Sequence, residues 1–302
     1  MGGLAALTTE QLELWTQQAR HKARYGRVMT RISRLTAVRA DWFATCIDFQ
    51  GQMELWGDTD CVFPLMSVIK PFILLYLLEQ FGMENLFRWV GMQPSDAPFN
   101  SLDQLIADSG RPRNPMINSG AIALASRLPG ATSYDRCQRL CTWLNHKADC
   151  HLKIDEATLA SVRIEGRGVN QTIADTLVQQ GYLAASEISL DTYEQICCLA
   201  GQVTDLARLG NLLARESAAI APQHRRTVNA LMLTCGLYEA SSTYAVRIGL
   251  PMKSGISGAL LAVVPGQGAI ACYSPALDAI GNPIAGLAFV EILAQRLELS
   301  VF

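Results

Sequence analysis

The sequence predicts an α+β fold, with one antiparallel sheet assembled from both chain ends, helices flanking it, and a mainly helical middle. Three observations point there. Period-two alternation, the mark of a strand with two distinct faces, appears in Asp41–Gly57, and β-rich segments return late in the chain. The stretch between, about 83–235, carries helical patterns broken by Pro, Gly and Asn, with no repeat. The chain closes on an amphipathic segment, Ala285–Leu299, that reads as helical. Strands, helices, strands and a last helix do not make a βαβ series, so a parallel, doubly wound sheet is disfavoured.

In chain order, Thr9–Thr36 reads as helical, with Thr9 as N-cap and Leu12, Trp15 and Ala19 at helical spacing. In Asp41–Gly57, Phe43, Thr45, Ile47 and Phe49 alternate with Trp42, Ala44, Cys46 and Asp48. Gln50-Gly51-Gln52 then turns the chain into Met53–Trp56, a β-hairpin. From Pro71 to Phe81 the apolar density suits a buried helix, closed by Gly82. Further helices are expected near 101–109, 117–127, 133–147, 170–181 and 203–216. Tyr244–Leu250 and Ala259–Val264 are β-rich, and Pro265-Gly266-Gln267-Gly268 turns into Ala269–Tyr273. The 302 residues suffice for a single domain with a sheet subdomain at 37–82 plus 236–302 and a helical subdomain at 83–235.

Half the chain is hydrophobic and 17% is charged, which places it among globular proteins. A net charge of -2 supplies no general attraction to nucleic acid or to an anionic membrane. The apolar runs Phe72–Leu78 and Ala259–Val264 are too short to span a bilayer. The N-terminus lacks the basic n-region of a secretory signal, and Ala6 breaks the myristoylation pattern. Nine cysteines, an odd number, are expected to be mostly buried thiols in a reducing, cytoplasmic setting. Cys137, Cys141 and Cys150 with His146 and His151 match no zinc spacing, and Cys137 and Cys141 fit one helix face. Neither a metal nor a cofactor is expected.

Chemistry concentrates on two of the five lysines. Lys70 closes Ser67-Val68-Ile69-Lys70, the single S-x-x-K, and Lys253 opens Lys253-Ser254-Gly255, the single K-[ST]-G. With Ser67 at a helix start, Lys70 follows one turn on along the same face. A serine hydroxyl is a poor nucleophile and needs a base. Lysine serves once burial and a nearby helix N-terminus disfavour its charge, and Leu65, Met66, Val68 and Ile69 would supply the burial. The same N-terminus offers N–H groups to an oxyanion. Alternatively, Ser67 caps the helix and Lys70 is a solvated first-turn residue. The glycines about Lys253 allow close backbone approach to a ligand. Asn114-Pro115-Met116-Ile117-Asn118-Ser119-Gly120-Ala121-Ile122 presents Asn118 either as an N-cap or as an amide for the site.

The pair of lysine motifs echoes the penicillin-recognising serine hydrolases. More specifically, the chain resembles the serine-dependent glutaminases, built on a β-lactamase/transpeptidase-like fold. Asn114–Ile122 is similar to that family's N-P-M-I-N-A-G-A-I. Cys235-Gly236-Leu237-Tyr238-Glu239-Ala240-Ser241, with Gly249-Leu250-Pro251 and Lys253-Ser254-Gly255, is similar to its C-G-M-Y-x-x-S…G-L-P-x-K-S-G-V. Ser274-Pro275-Ala276-Leu277-Asp278…Gly281-Asn282 resembles S-P-x-L-D…G-N, and the likeness runs from about Gly26 to the C-terminus. The resemblance implies a small-molecule substrate, L-glutamine or a related amide, hydrolysed to L-glutamate and ammonia by a homo-oligomer. It implies Ser67 as nucleophile, Lys70 as its activator, and Tyr193 and Tyr238 in proton transfer and substrate binding. It further implies Asn118, Glu165 and Asn170 as partners of the α-carboxylate and α-ammonium, and Ile256 N–H as oxyanion donor alongside Ser67. Two departures stand out: Arg31 takes the place of a ligand tyrosine, and Met66 that of a glutamine before the nucleophile. They leave open a serine amidase for another small amide, or a non-catalytic metabolite-binding descendant.

Overall fold

In this computed structural model residues 3–218 and 220–302 are described, so the reading of Met1 and Gly2 lies outside the described residues. Helix α1 (Thr9–His21) is capped by Thr8 rather than Thr9. Thr8 Oγ1 accepts from Gln11 N–H while Gln11 Oε1 accepts from Thr8 N–H, a reciprocal box that fixes the start one residue early. Nor does the helix continue to Thr36. After a 3₁₀ turn at Lys22–Tyr25 the chain extends at Gly26, and Arg27 exchanges backbone hydrogen bonds with Leu277. A Cβ on Gly26 would sit 2.8 Å from Leu277 O, so this crossing excludes a side chain. Helix returns only as α2 (Ser33–Thr36).

Strands β1 (Ala44–Phe49) and β2 (Gln52–Gly57) form the expected hairpin. Strand β3 (Phe63–Pro64) enters a 3₁₀ turn, Met66–Ile69, that runs into α3 (Lys70–Trp89). Pro71 falls in the first turn of α3, where no N–H is required. Gly82, at φ 71°, interrupts α3 where the apolar run ends. By length and composition Met66–Trp89 could cross a membrane, against the expectation that the apolar runs are too short, but 72% of its apolar window is buried here as the core helix.

Helices α4 (Leu102–Ala107), α5 (Asn118–Ala125) and α6 (Ser133–Ala148) match their patterns, and Cys137 and Cys141 are buried together on α6. Then come β4 (Lys153–Ile154), α7 (Glu156–Ser161), α8 (Arg167–Gln179) and α9 (Ser186–Cys197). Strand β5 (Leu199–Gly201), α10 (Val203–Ala214) and α11 (Pro222–Cys235) follow. The sequence patterns above do not signal α7, α9 or α11. Tyr244–Leu250 is not a strand: Tyr244–Arg247 belongs to α12 (Ser241–Arg247), and residues 248–250 follow it as a turn. Ser241 Oγ accepts from Leu237 N–H and donates to Tyr238 O, closing a turn that starts a helix and overrides the β propensity of Tyr244, Val246 and Ile248.

Strands β6 (Met252–Ser254), β7 (Ala259–Val264) and β8 (Gly268–Tyr273) complete the sheet, and α13 (Ile284–Arg296) closes the fold. The five-stranded order is β2-β1-β8-β7-β6, all antiparallel, with Cys46 opposite Ala271. This is the α+β sheet expected from both chain ends. In β7, Ala259, Leu261 and Val263 enter one core, and Leu260, Ala262 and Val264 enter another, with α1 and α13. Both faces are therefore buried, and α10 covers the face opposite α13. A second sheet, β3-β5-β4, ties the turn carrying Ser67 to the end of α9, with Leu65 N–H donating to Leu199 O.

Candidate active site

Ser67 lies in the 3₁₀ turn, directly after Met66, whose φ of 48° is unusual for a residue with a side chain. That kink is where β3 turns into α3. Lys70, 1% exposed, opens α3; its Nζ donates to Asn118 Oδ1 at 2.7 Å and to Met116 O at 3.3 Å. Burial lowers its pKa to about 8. The expectation of a solvated first-turn lysine therefore fails. Asn118 is not an N-cap either: Ile117 holds that position and Asn118 is the first residue of α5. Its Oδ1 also accepts from Tyr193 OH at 3.0 Å, and its Nδ2 donates to Asn170 Oδ1 at 2.8 Å. Gly120 makes this placement possible, because a Cβ there would lie 1.9 Å from Asn114 O.

Tyr193 comes from α9 and Tyr238 from the turn after α11, where it too has a positive φ, 58°. The Ser67 hydroxyl lies beside both phenols and works against the rise of their pKa. Burial raises both phenols, Tyr238 to about 12, so they stay protonated near neutrality. Tyr238 packs on Phe99 at 4.6 Å and donates to Ser254 O at 3.3 Å. Lys253 is fully buried, its Nζ 4.2 Å from the Tyr238 ring centroid, donating to Gly236 O and Ser254 O at 2.9 and 2.8 Å. Burial, and then the nearby Lys70 charge, push its pKa far down. Asn282 Oδ1 accepts from Ser254 Oγ at 2.6 Å, and Asp278 Oδ1 gathers the N–H groups of Ile280, Gly281 and Asn282 behind it. The S-P-x-L-D…G-N run is thus the brace of the strand carrying Lys253.

Ile256 follows Gly255 in a turn closed by Gly258 N–H to Gly255 O. Among the described residues, neither its N–H nor that of Ser67 has a hydrogen-bond partner. A Cβ on Gly255 would lie 2.7 Å from Leu65 O and 3.4 Å from Ser67 N, so the two segments meet through glycine. Ser67 and Ile256 line one small cavity, of about 50 Å³, whose wall also includes Asn118, Asn170 and Tyr193.

These residues reach one site from segments far apart in sequence, and known proteins are similar to this chain over most of its length. A family model for glutaminase matches residues 26–302. The chain belongs to the glutaminase family. A glutaminase of Synechocystis sp. is 44% identical, the match covering 96% of this chain and 90% of that one. One of Alkaliphilus oremlandii is 35% identical over 97% and 99% of the two. Among solved structures, a probable glutaminase from Bacillus subtilis complexed with 6-diazo-5-oxo-L-norleucine superposes with a TM-score of 0.89. Its identity is 29%, with 98% of this chain and 97% of that chain covered.

In this glutaminase Glu165 does not join the site. It is exposed in a π turn, Val162–Gly166, and its carboxylate accepts from Ser33 N–H and Ser33 Oγ at the start of α2. The wider π turn shifts the side chain around the helix, away from the cavity. Arg31 and Met66, both departures from the family pattern, do line the cavity. So does Glu194, which the sequence analysis does not single out. Its signal is weak: a glutamate immediately after the motif tyrosine, on a helix that the periodicity misses.

Proposed function

We propose that this glutaminase hydrolyses the side-chain amide of L-glutamine through an acyl-enzyme on Ser67. The observation that carries the reading is one cluster: Ser67 shares a cavity wall with Asn118 and Tyr193, Lys70 and Tyr193 both donate to Asn118 Oδ1, and buried Lys253 lies against Tyr238. Ser67 Oγ attacks the amide carbon, and its proton passes towards neutral Lys70 with the phenols bridging. The N–H groups of Ser67 and Ile256 receive the oxyanion. The C–N bond then breaks, nitrogen takes the proton and leaves as ammonia, and water releases L-glutamate by the reverse transfers. The chemistry uses side chains, backbone N–H groups and water, on a cytoplasmic protein that assembles as a homo-oligomer.

The test is ammonia and L-glutamate release in equal amounts from L-glutamine, followed against pH. Below about 8 Lys70 is mainly an ammonium, which cannot accept a proton, so kcat/KM should fall about tenfold per pH unit below that value and level off above it. A profile flat from pH 6 to 9 would remove Lys70 from the proton path.

Arg31 favours a second reading, an amidase for amides without a free α-ammonium. Its exposed guanidinium lines the cavity, where a phenol would be neutral; it attracts a carboxylate and opposes an ammonium. Turnover of L-glutamine should accordingly be weak with a high KM, and Arg31→Tyr should raise kcat/KM several-fold. A neutral Arg31→Tyr, with ordinary L-glutamine turnover in the wild type, would take the guanidinium out of substrate contact.

A further inference from the structure

The cavity wall holds one carboxylate among the described residues, Glu194, and the side chain is 1% exposed. Arg167 holds it from α8: Nε lies 3.1 Å from both carboxylate oxygens and Nη2 lies 3.0 Å from Oε2. A carboxylate offers about four acceptor positions, and these contacts fill three at most. Arg167 also reaches Glu187 at 2.8 Å and Asp191 at 3.6 Å, and Arg163 pairs with Asp191 at 2.7 Å. Two guanidiniums thus face three carboxylates, which leaves one negative charge unmatched. Glu187 is 71% exposed, whereas Glu194 is the member presented to the cavity, beside Tyr193 and Asn170.

We propose that Glu194, positioned by Arg167, is the group that reads the α-ammonium of the amino-acid substrate. This deepens the glutamine reading and rests on it. An ammonium arriving in the cavity meets a carboxylate already desolvated and held rigid, so little ordering is required on binding. It also brings a positive charge to a cluster that has one more carboxylate than guanidinium.

The test compares L-glutamine with glutaric monoamide, the same amide without its amino group, in the wild type, Glu194→Gln and Glu165→Gln. Glu194→Gln keeps the shape and should lower kcat/KM for L-glutamine roughly ten- to a hundredfold, mainly through KM, the range for a hydrogen bond to a charged group. It should leave the monoamide unchanged, and Glu165→Gln should leave both unchanged. Inhibition by L-glutamate against glutarate gives the same comparison where monoamide turnover is slow. Equal losses on both ligands would make Glu194 a support for α9 only and overturn the proposal. So would a loss of discrimination in Glu165→Gln. A wild type that releases ammonia from neither amide would instead refute the glutamine reading, and this inference would fall with it.

Discussion

Ser67→Ala should abolish ammonia release, a loss of at least about ten-thousandfold in kcat, while the folded structure and its melting temperature stay close to wild type. The hydroxyl is a small part of a buried turn that backbone contacts hold in place: Leu65 N–H on Leu199 O, and Gly255 against Leu65 O. Removing it therefore leaves the scaffold standing. Lys70→Ala should also be inactive, and adding it to Ser67→Ala should cost little more, because a nucleophile and its proton acceptor act as one unit. Retained activity in a folded Ser67→Ala variant would exclude the acyl-enzyme. Losses that multiply would separate Lys70 from the serine.

The second large effect is expected at a residue with no functional group. Gly255→Ala places a methyl 2.7 Å from Leu65 O and 3.4 Å from Ser67 N, and neither neighbour is a flexible side chain that could swing away. The Ile256 and Ser67 amides must then separate by some tenths of an ångström. Losing one well-placed oxyanion donor costs on the order of a hundredfold to a thousandfold in kcat, and Gly255→Ala should fall in that range with KM less affected. Wild-type kcat in this variant would mean that the two N–H groups do not act together on the oxyanion.

What was legible in the sequence follows from which interactions are local. Hairpin β1–β2, the break at Gly82 and the terminal helix α13 are set by alternation, glycine and amphipathic spacing within a few residues, and all three read correctly. Residues 244–250 misled because Tyr, Val and Ile favour strands, whereas the deciding contact is the hydroxyl of Ser241, a small polar residue outside the pattern. At the site, Ser67, Lys70, Asn118, Tyr193, Tyr238 and Ile256 sit in short motifs with little freedom of register, and the fold brings them together. Glu165 lies in a π turn, which no hydrophobic period encodes and which decides where its side chain points. Glu194 is part of a helix buried on several sides, with Leu190, Tyr193, Ile196 and Cys197 all inside. Its apolar stripe is too broad to read as amphipathic, and its ion partner is 27 residues away.

The sheet order has a consequence for how the protein is made. Strand β1 lies between β2 and β8, and Cys46 is paired with Ala271, 225 residues later in the chain. At typical translation speeds of about 5–20 residues per second, that interval amounts to roughly 10–45 seconds on the ribosome. For that time the nascent hairpin offers the open edge of β1 to any passing strand, and the face that α13 covers stays incomplete, since α13 is still to be synthesised. Final closure waits for the last helix to leave the exit tunnel, so a chain truncated before β8 would carry every motif up to Lys253-Ser254-Gly255 and still present the unpaired edge of β1.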